Sequence, residues 1–374
     1  MLRGSVQIAK IGGIGINIHV SWILIFILVT WTLAGSYFPQ NYPHWPLYLY
    51  WTVGLATSVL FFVSVLLHEL AHSFVARARG LPVKDITLFI FGGVARIGEE
   101  PETPGTEFVM ALVGPLTSIV LGALFGLVWF LARGIYEPLA ALGSYLAFIN
   151  VLLGFFNMIP GFPLDGGRVL RSILWQATGN LQRATRWASL VGQAVAYLFI
   201  LAGFGAIFFT GDWVGGLWIA FIGWFLVNAA SNSYRQLTVR NLLAGHRVGE
   251  VMSRDCPEVS VGITLDRLVN EYMLPTGTRC FPVVEAGLLR GLLTLHNIRR
   301  VARDRWSTTT VEQVMTPLKE LKKVGPDEEL WVAMKNMTEE GVNQVPVMDD
   351  GHLLGMLGRD NIVSFIRIKG ELGI

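Results

Sequence analysis

Charge is scarce in this 374-residue chain: Asp, Glu, Lys and Arg together make up 15% of it, against about 25% in an ordinary soluble protein. The shortage is local. Residues 1–240 hold 22 charged side chains, whereas residues 241–374 hold 34. With hydrophobic residues at 52%, this balance excludes intrinsic disorder and a wholly soluble globule. Cysteine is nearly absent as well. Cys256 and Cys280 are the two present, both in the charged tail, so no disulfide framework is expected. The net charge is only +2 and no Lys/Arg run is long enough to suggest nucleic acid, so no nucleic-acid partner is expected. No small-residue cleavage site follows the first apolar run, so a secretory leader is not expected either.

What the first 240 residues do contain is apolar length. A helix needs about 20 apolar residues to cross the hydrocarbon core. Runs at 19–37, 52–76, 108–132, 138–159, 187–209 and 214–231 meet that requirement and predict about six spans. Arg3, Lys10, Arg77, Arg79, Lys84, Arg168, Arg171, Arg183, Arg186, Arg235 and Arg240 flank one side, and Arg133 alone flanks the other. By the positive-inside rule the chain is then a multi-pass protein of the cell membrane, with both termini and the charged tail cytoplasmic. Residues 83–98, VKDITLFIFGGVARIG, do not form a span. Their β-branched and aromatic content predicts two short strands around a Gly92–Gly93 bend. Such backbone survives at membrane depth only where protein or a wet cavity satisfies it.

The second span carries HELAH. His68 and His72 are four residues apart, so both imidazoles fall on one helical face, with Glu69 beside the first. H-E-x-x-H is the helix pattern of zinc proteases. In an apolar span these groups cost at least a few kcal/mol unless paired or liganded, and a buried polar cluster bridging helices satisfies the same pattern. A catalytic zinc site takes three protein ligands and keeps one position open. The run NMIPGFPLDGGR offers Asn157, Pro160, Pro163, Asp165, Gly166 and Gly167. Its prolines prevent a regular helix, and its glycines allow a tight turn that aims the Asp165 carboxylate into the bundle. The alternative is that Asp165 caps a helix starting near Gly167. His19 is a further ligand candidate or an interfacial residue. Asn150 and Asn228 are expected to bond between helices, and Gly114–Pro115 to permit close packing or a kink.

HELAH inside a span, the Phe-Gly-Gly element at 91–93 and the N-x-x-P-x-x-P-L-D-G-G run together resemble the site-2 protease family of intramembrane zinc metalloproteases, over residues 5–240. The resemblance implies one Zn2+ ligated by His68, His72 and Asp165, with Glu69 as general base. It implies that Asn157 contacts the substrate backbone and that Phe91, Gly92 and Gly93 form an edge pairing with unwound substrate. The expected substrates are transmembrane proteins, such as membrane-tethered regulators, cut in or near their spans in regulated intramembrane proteolysis. A helix hides its carbonyls in internal hydrogen bonds, and an exposed strand edge replaces those bonds once it unwinds.

The tail repeats itself. VGEVMSRD at 248 returns as VEQVMTPL at 311, and FPVVEAGLLRGLLTLHNI returns as VPVMDDGHLLGMLGRDNI 64 residues on. Each half reads strand, helix, strand, strand, helix, and is too small to bury its sheet well alone. The tandem resembles a pair of cystathionine-β-synthase (CBS) domains, which dock through their sheets and often bind adenine nucleotides. In the nucleotide signature G-h-h-T-x-x-D the aspartate holds the ribose. Here Thr294 is followed by Asn297, and in the second half Asp360 precedes Asn361. Adenine-nucleotide binding at Thr294, Asn297 and Asp360 and a purely homodimerising tandem are equally compatible with this. The expected architecture is a multi-pass α-helical membrane protein with a short membrane-associated β element (residues 1–240), a linker (241–247) and a soluble α/β CBS pair (248–304 and 311–370). Two other functions fit parts of the pattern. One is a CBS-gated transporter or channel, against which stands the lack of an inverted repeat. The other is a catalytically inactive client-binding relative, against which stands the presence of all four site residues.

Overall fold

Apolar length and weak internal breaks produce six helices long enough to span a bilayer among the described residues. The structure, a computed structural model, describes residues 4–90, 92–98 and 100–372, apart from the side chains of residues 233 and 236. It divides into two compact units, Met1–Arg235 and Gln236–Ile374. The spanning helices are α1 (Val20–Asn41), α2 (Leu47–Ala78), α3 (Pro104–Ala132), α4 (Glu137–Asn157), α6 (Leu181–Thr210) and α7 (Trp213–Leu243). A shorter helix, α5 (Asp165–Thr178), precedes α6. The expected helical body with a mixed α/β tail is therefore present. The helices outrun their apolar cores where polar helix formers continue them. The last continues to Leu243 rather than ending near 231, because neither Gly nor Pro interrupts SNSYRQLTVRNLL.

Four strands form one sheet in the order β1 (Ser5–Ile11), β2 (Ile14–His19), β3 (Val83–Phe89), β4 (Gly92–Ile97). The β3–β4 pair was expected. The β1–β2 hairpin was not, nor was the parallel pairing of β2 with β3, which sets Ile16 opposite Ile86. Ile14, Ile16 and Ile86 bury themselves with Leu70 of α2. Those four side chains fix the sheet beside the His68–His72 turn. At the start of α3, the fully buried Glu107 accepts from Arg171 Nε of α5 at 2.6 Å. The Arg171 guanidinium also lies 5.1 Å from the centre of the Phe162 ring. An ion pair buried this well is strongly destabilising to break from one side, so it ties α5 to α3.

In the second unit, β5 (Val259–Ser260), β6 (Cys280–Glu285), β7 (Leu288–Thr294) and β8 (Thr316–Pro317) form one sheet, and β9 (Gln344–Asp349) pairs with β10 (His352–Gly358). The heads of the two repeats are exchanged. Val248, at the start of the first repeat, is buried in the core of the second with Leu330, Val347 and Leu357. Val311, at the start of the second, is buried in the core of the first with Leu265, Phe281 and Leu293. Both cysteines are free. Burial pushes the Cys280 thiol up to about 12, with neighbouring Cys256 adding to the effect, so Cys280 stays protonated and unreactive at neutral pH.

Candidate metal centre and cleft

His68 and His72 occupy one face of α2 and are each tied by the ring nitrogen away from the site. His72 Nδ1 lies 2.6 Å from the Met110 carbonyl of α3. A carbonyl only accepts, so Nδ1 carries the hydrogen and a neutral His72 keeps a lone pair on Nε2. His68 Nδ1 lies 2.9 Å from Ser118 Oγ, also on α3. The two Nε2 atoms are 3.2 Å apart, and each is 3.1 Å from Asp165 Oδ2. These three ligand atoms all lie within 4.8 Å of one another. Lone pairs converging in this way, largely out of water, repel unless a cation sits among them. Two imidazoles and one carboxylate are also the donor set of an open zinc site.

Gly114 of α3 keeps that space clear. A Cβ there would stand 2.7 Å from His68 Nε2 and nearer still to His72 Nε2. Sequence reasoning assigned Gly114 to close packing or a kink and passed over Ser118. Their spacing of four on one face of α3 was visible, but nothing in the sequence said which helix they faced.

Asp165 is the first residue of α5, whose N-cap is Leu164. The glycines that follow serve a different purpose from the expected tight turn. Gly166 and Gly167 are helical, and a Cβ on either would collide with backbone at Met158–Ile159 or Gly161–Phe162. Their lack of a side chain lets α5 start hard against the preceding turn, which holds Asp165 at the histidines.

Glu69 lines a cleft of about 720 Å³ that also reaches His68, His72, Asp165 and Asn157. Phe61, Phe62 and Phe156 line it, and Trp218, Ile222 and Phe225 of α7 complete the apolar lining. The edge strand β4 runs past Glu69. A Cβ on Gly93 would sit 3.1 Å from Glu69 Cδ, and the Ala95 amide hydrogen-bonds the same carboxylate. Gly92 and Gly93 thus line the cleft, but they open β4 rather than forming the bend. Phe91 lies outside the described residues. Asn157 Nδ2 donates to the Leu153 carbonyl of its own helix at 3.0 Å.

Other candidates lie elsewhere. His19 is the N-cap of α1, with Nδ1 accepting from Ser21 N at 3.2 Å, and it is not part of the ligand cluster. Asn150 and Asn228 donate to carbonyls of their own helices, Leu146 and Trp224, instead of bonding between helices. In the tail, Thr294 and Asn297 cap each other's turn, with Asn297 Oδ1 accepting from Thr294 N at 3.0 Å and Asn297 Nδ2 donating to Thr316 Oγ1 at 3.2 Å. Asp360 is exposed in the first turn of the final helix, Arg359–Leu372.

Comparison with known proteins gives this geometry a family. The profile of peptidase family M50 matches residues 56–143 and 135–201, spanning both histidines and Asp165. The CBS domain profile matches 248–304 and 311–368. Rip3 of Mycobacterium tuberculosis, named as an inferred zinc metalloprotease, is 35% identical over 98% of this chain and 94% of its own length. A zinc metalloprotease of Methanocaldococcus jannaschii is 28% identical over 98% of both chains. The solved site-2 protease from M. jannaschii is 29% identical, covering 62% of this chain and 95% of that one, with a TM-score of 0.44. The chain therefore belongs to peptidase family M50, the zinc-dependent site-2 proteases of the membrane, and carries a pair of CBS domains at its C-terminal end.

Proposed function

We propose that this chain hydrolyses a peptide bond in or near the transmembrane segment of membrane-protein substrates, with zinc held by His68, His72 and Asp165. The observation that carries the reading is the convergence of three lone-pair atoms beside Glu69 in an apolar cleft. Zinc, when bound, supplies Lewis acidity and brings the pKa of water from 15.7 toward about 7. Glu69 takes the proton of the attacking water on its carboxylate and later passes it to the leaving amine. The outer edge of β4 hydrogen-bonds the unwound substrate by strand addition, because among the described residues β3 is the strand that β4 pairs with and β4 ends the sheet. Asn157 lines the same cleft and donates to the substrate backbone once released from Leu153. The charge bias of the flanks supports cytoplasmic termini and tail, and hence cleavage near the cytosolic face.

Zinc analysis of the purified chain tests the ligand set. About one zinc per chain is expected for an open three-ligand site, and His68→Ala, His72→Ala and Asp165→Ala should each lose most of it. Full retention in Asp165→Ala would remove that residue from the ligands.

The CBS tandem regulates cleavage in this reading. Its support is covalent: α7, whose Trp218 and Phe225 line the cleft, is the helix by which the chain enters the tandem, and Leu243 is buried in that unit's core. A ligand or partner acts there only through different affinities for two arrangements. An adenine nucleotide is a poor effector, since Asn297 supplies no carboxylate and its amide is already engaged. Calorimetric titration of residues 236–374 with ATP, ADP and AMP should give dissociation constants of about 1 mM or weaker. Deleting residues 248–374 should change cleavage severalfold, and unchanged cleavage would dismiss the regulatory role.

A further inference from the structure

Arg168 is the one Lys or Arg among the described residues lining the cleft, where the acidic side chains are Glu69 and Asp165. It forms a long ion pair with Glu107, Nε lying 4.0 Å from Oε1, too long for a hydrogen bond. That same oxygen is already held by Arg171 through Nε at 2.6 Å and through Nη2, while Oε2 of Glu107 is buried with no hydrogen-bond partner among the described residues. The Arg168 side chain is 26% exposed. The charges around the site do not cancel. A dipositive zinc, if bound, would be neutralised by Glu69 and Asp165, and Glu107, paired with both Arg171 and Arg168, would balance only one of them, leaving one positive charge. An arginine in apolar surroundings is costly without a counter-charge, and its planar fork suits a carboxylate.

We propose that Arg168 binds a carboxylate presented by the substrate chain inside the cleft, an assignment that rests on the proteolytic reading above. Two sources offer that group. One is an Asp or Glu side chain flanking the scissile bond. The other is the C-terminal carboxylate that hydrolysis creates on the N-terminal product.

The test uses the full chain with Arg168→Gln and Arg168→Lys. In the first arm, a membrane-embedded reporter with an acidic residue beside the scissile bond is compared with its Asn or Gln counterpart by kcat/KM. In the second, the N-terminal product peptide is titrated as free acid and as C-terminal amide, by fluorescence anisotropy on Glu69→Gln protein with and without Arg168→Gln. In at least one arm the carboxylate should be favoured about tenfold or more, as for a hydrogen bond to a charged group. Arg168→Gln should reduce that preference to within about twofold at unchanged zinc content, and Arg168→Lys should keep part of it. A response in the first arm assigns the side chain, and one in the second assigns the product terminus. Equal preference in wild type and Arg168→Gln in both arms overturns the proposal. So does loss of zinc or of thermal stability in both variants with no change in preference, which would make Arg168 a structural partner of Glu107. Failure of the wild type to cleave any reporter would count against proteolysis itself, and with it against the substrate carboxylate proposed for Arg168.

Discussion

Glu69→Gln is expected to keep its zinc and its fold while cutting a membrane-embedded reporter about 10² to 10⁴ times more slowly, the range that a positioned general base contributes. The amide preserves the shape of the carboxylate, so the contact with Gly93 on β4 survives, and the amide oxygen still accepts from the Ala95 N–H. The basic oxygen is what disappears. Cleavage is followed by gel shift and zinc by metal analysis on the same preparation. Activity within tenfold of wild type would count against Glu69 as the base, whereas loss of zinc would mean that the substitution had disturbed the histidines.

Gly114→Ala should remove most of the zinc without unfolding the protein. Alanine is the best helix former, so α3 itself loses nothing. The added methyl would occupy the space between the two Nε2 atoms. Neither imidazole can swing aside cheaply, because His68 would forfeit Ser118 Oγ and His72 the Met110 carbonyl. Each lost partner costs about 1–3 kcal/mol if the groups stay buried. Zinc content should fall toward zero and cleavage with it, while the protein stays folded at a melting temperature lowered by several degrees. A Gly114→Ala protein with full zinc would show that the metal sits away from the cradle defined by these three atoms.

Much of the site was legible because its chemistry is local in sequence. Four-residue spacing puts His68 and His72 on one face whatever surrounds the helix, and the prolines around Asp165 exclude a continuous span. The tandem was legible because it is written twice. What could not be read depends on partners distant along the chain. Ile14 and Ile16 look like the approach to a span until β3 pairs with them in parallel. Gly166 and Gly167 look like turn residues until the 158–162 backbone packs against them. Gly114 has meaning only through the histidines of a different helix, and Arg168 only through the prior claim of Arg171 on Glu107.

The exchanged heads of the two tail repeats bear on how this region unfolds. Val248 N donates to the Glu328 carbonyl at 3.0 Å and Val311 N to the Ile263 carbonyl at 2.9 Å, so each half is completed by a segment that the other half's stretch of chain supplies. A boundary drawn between the repeats along the sequence is then not a boundary of cooperativity. Severing the chain between residues 304 and 311 would give two fragments, each lacking one wall of its own apolar interior, and neither should melt as an independent unit. Intact, the pair should lose structure in a single transition, with hydrogen exchange in β6 and β9 rising together.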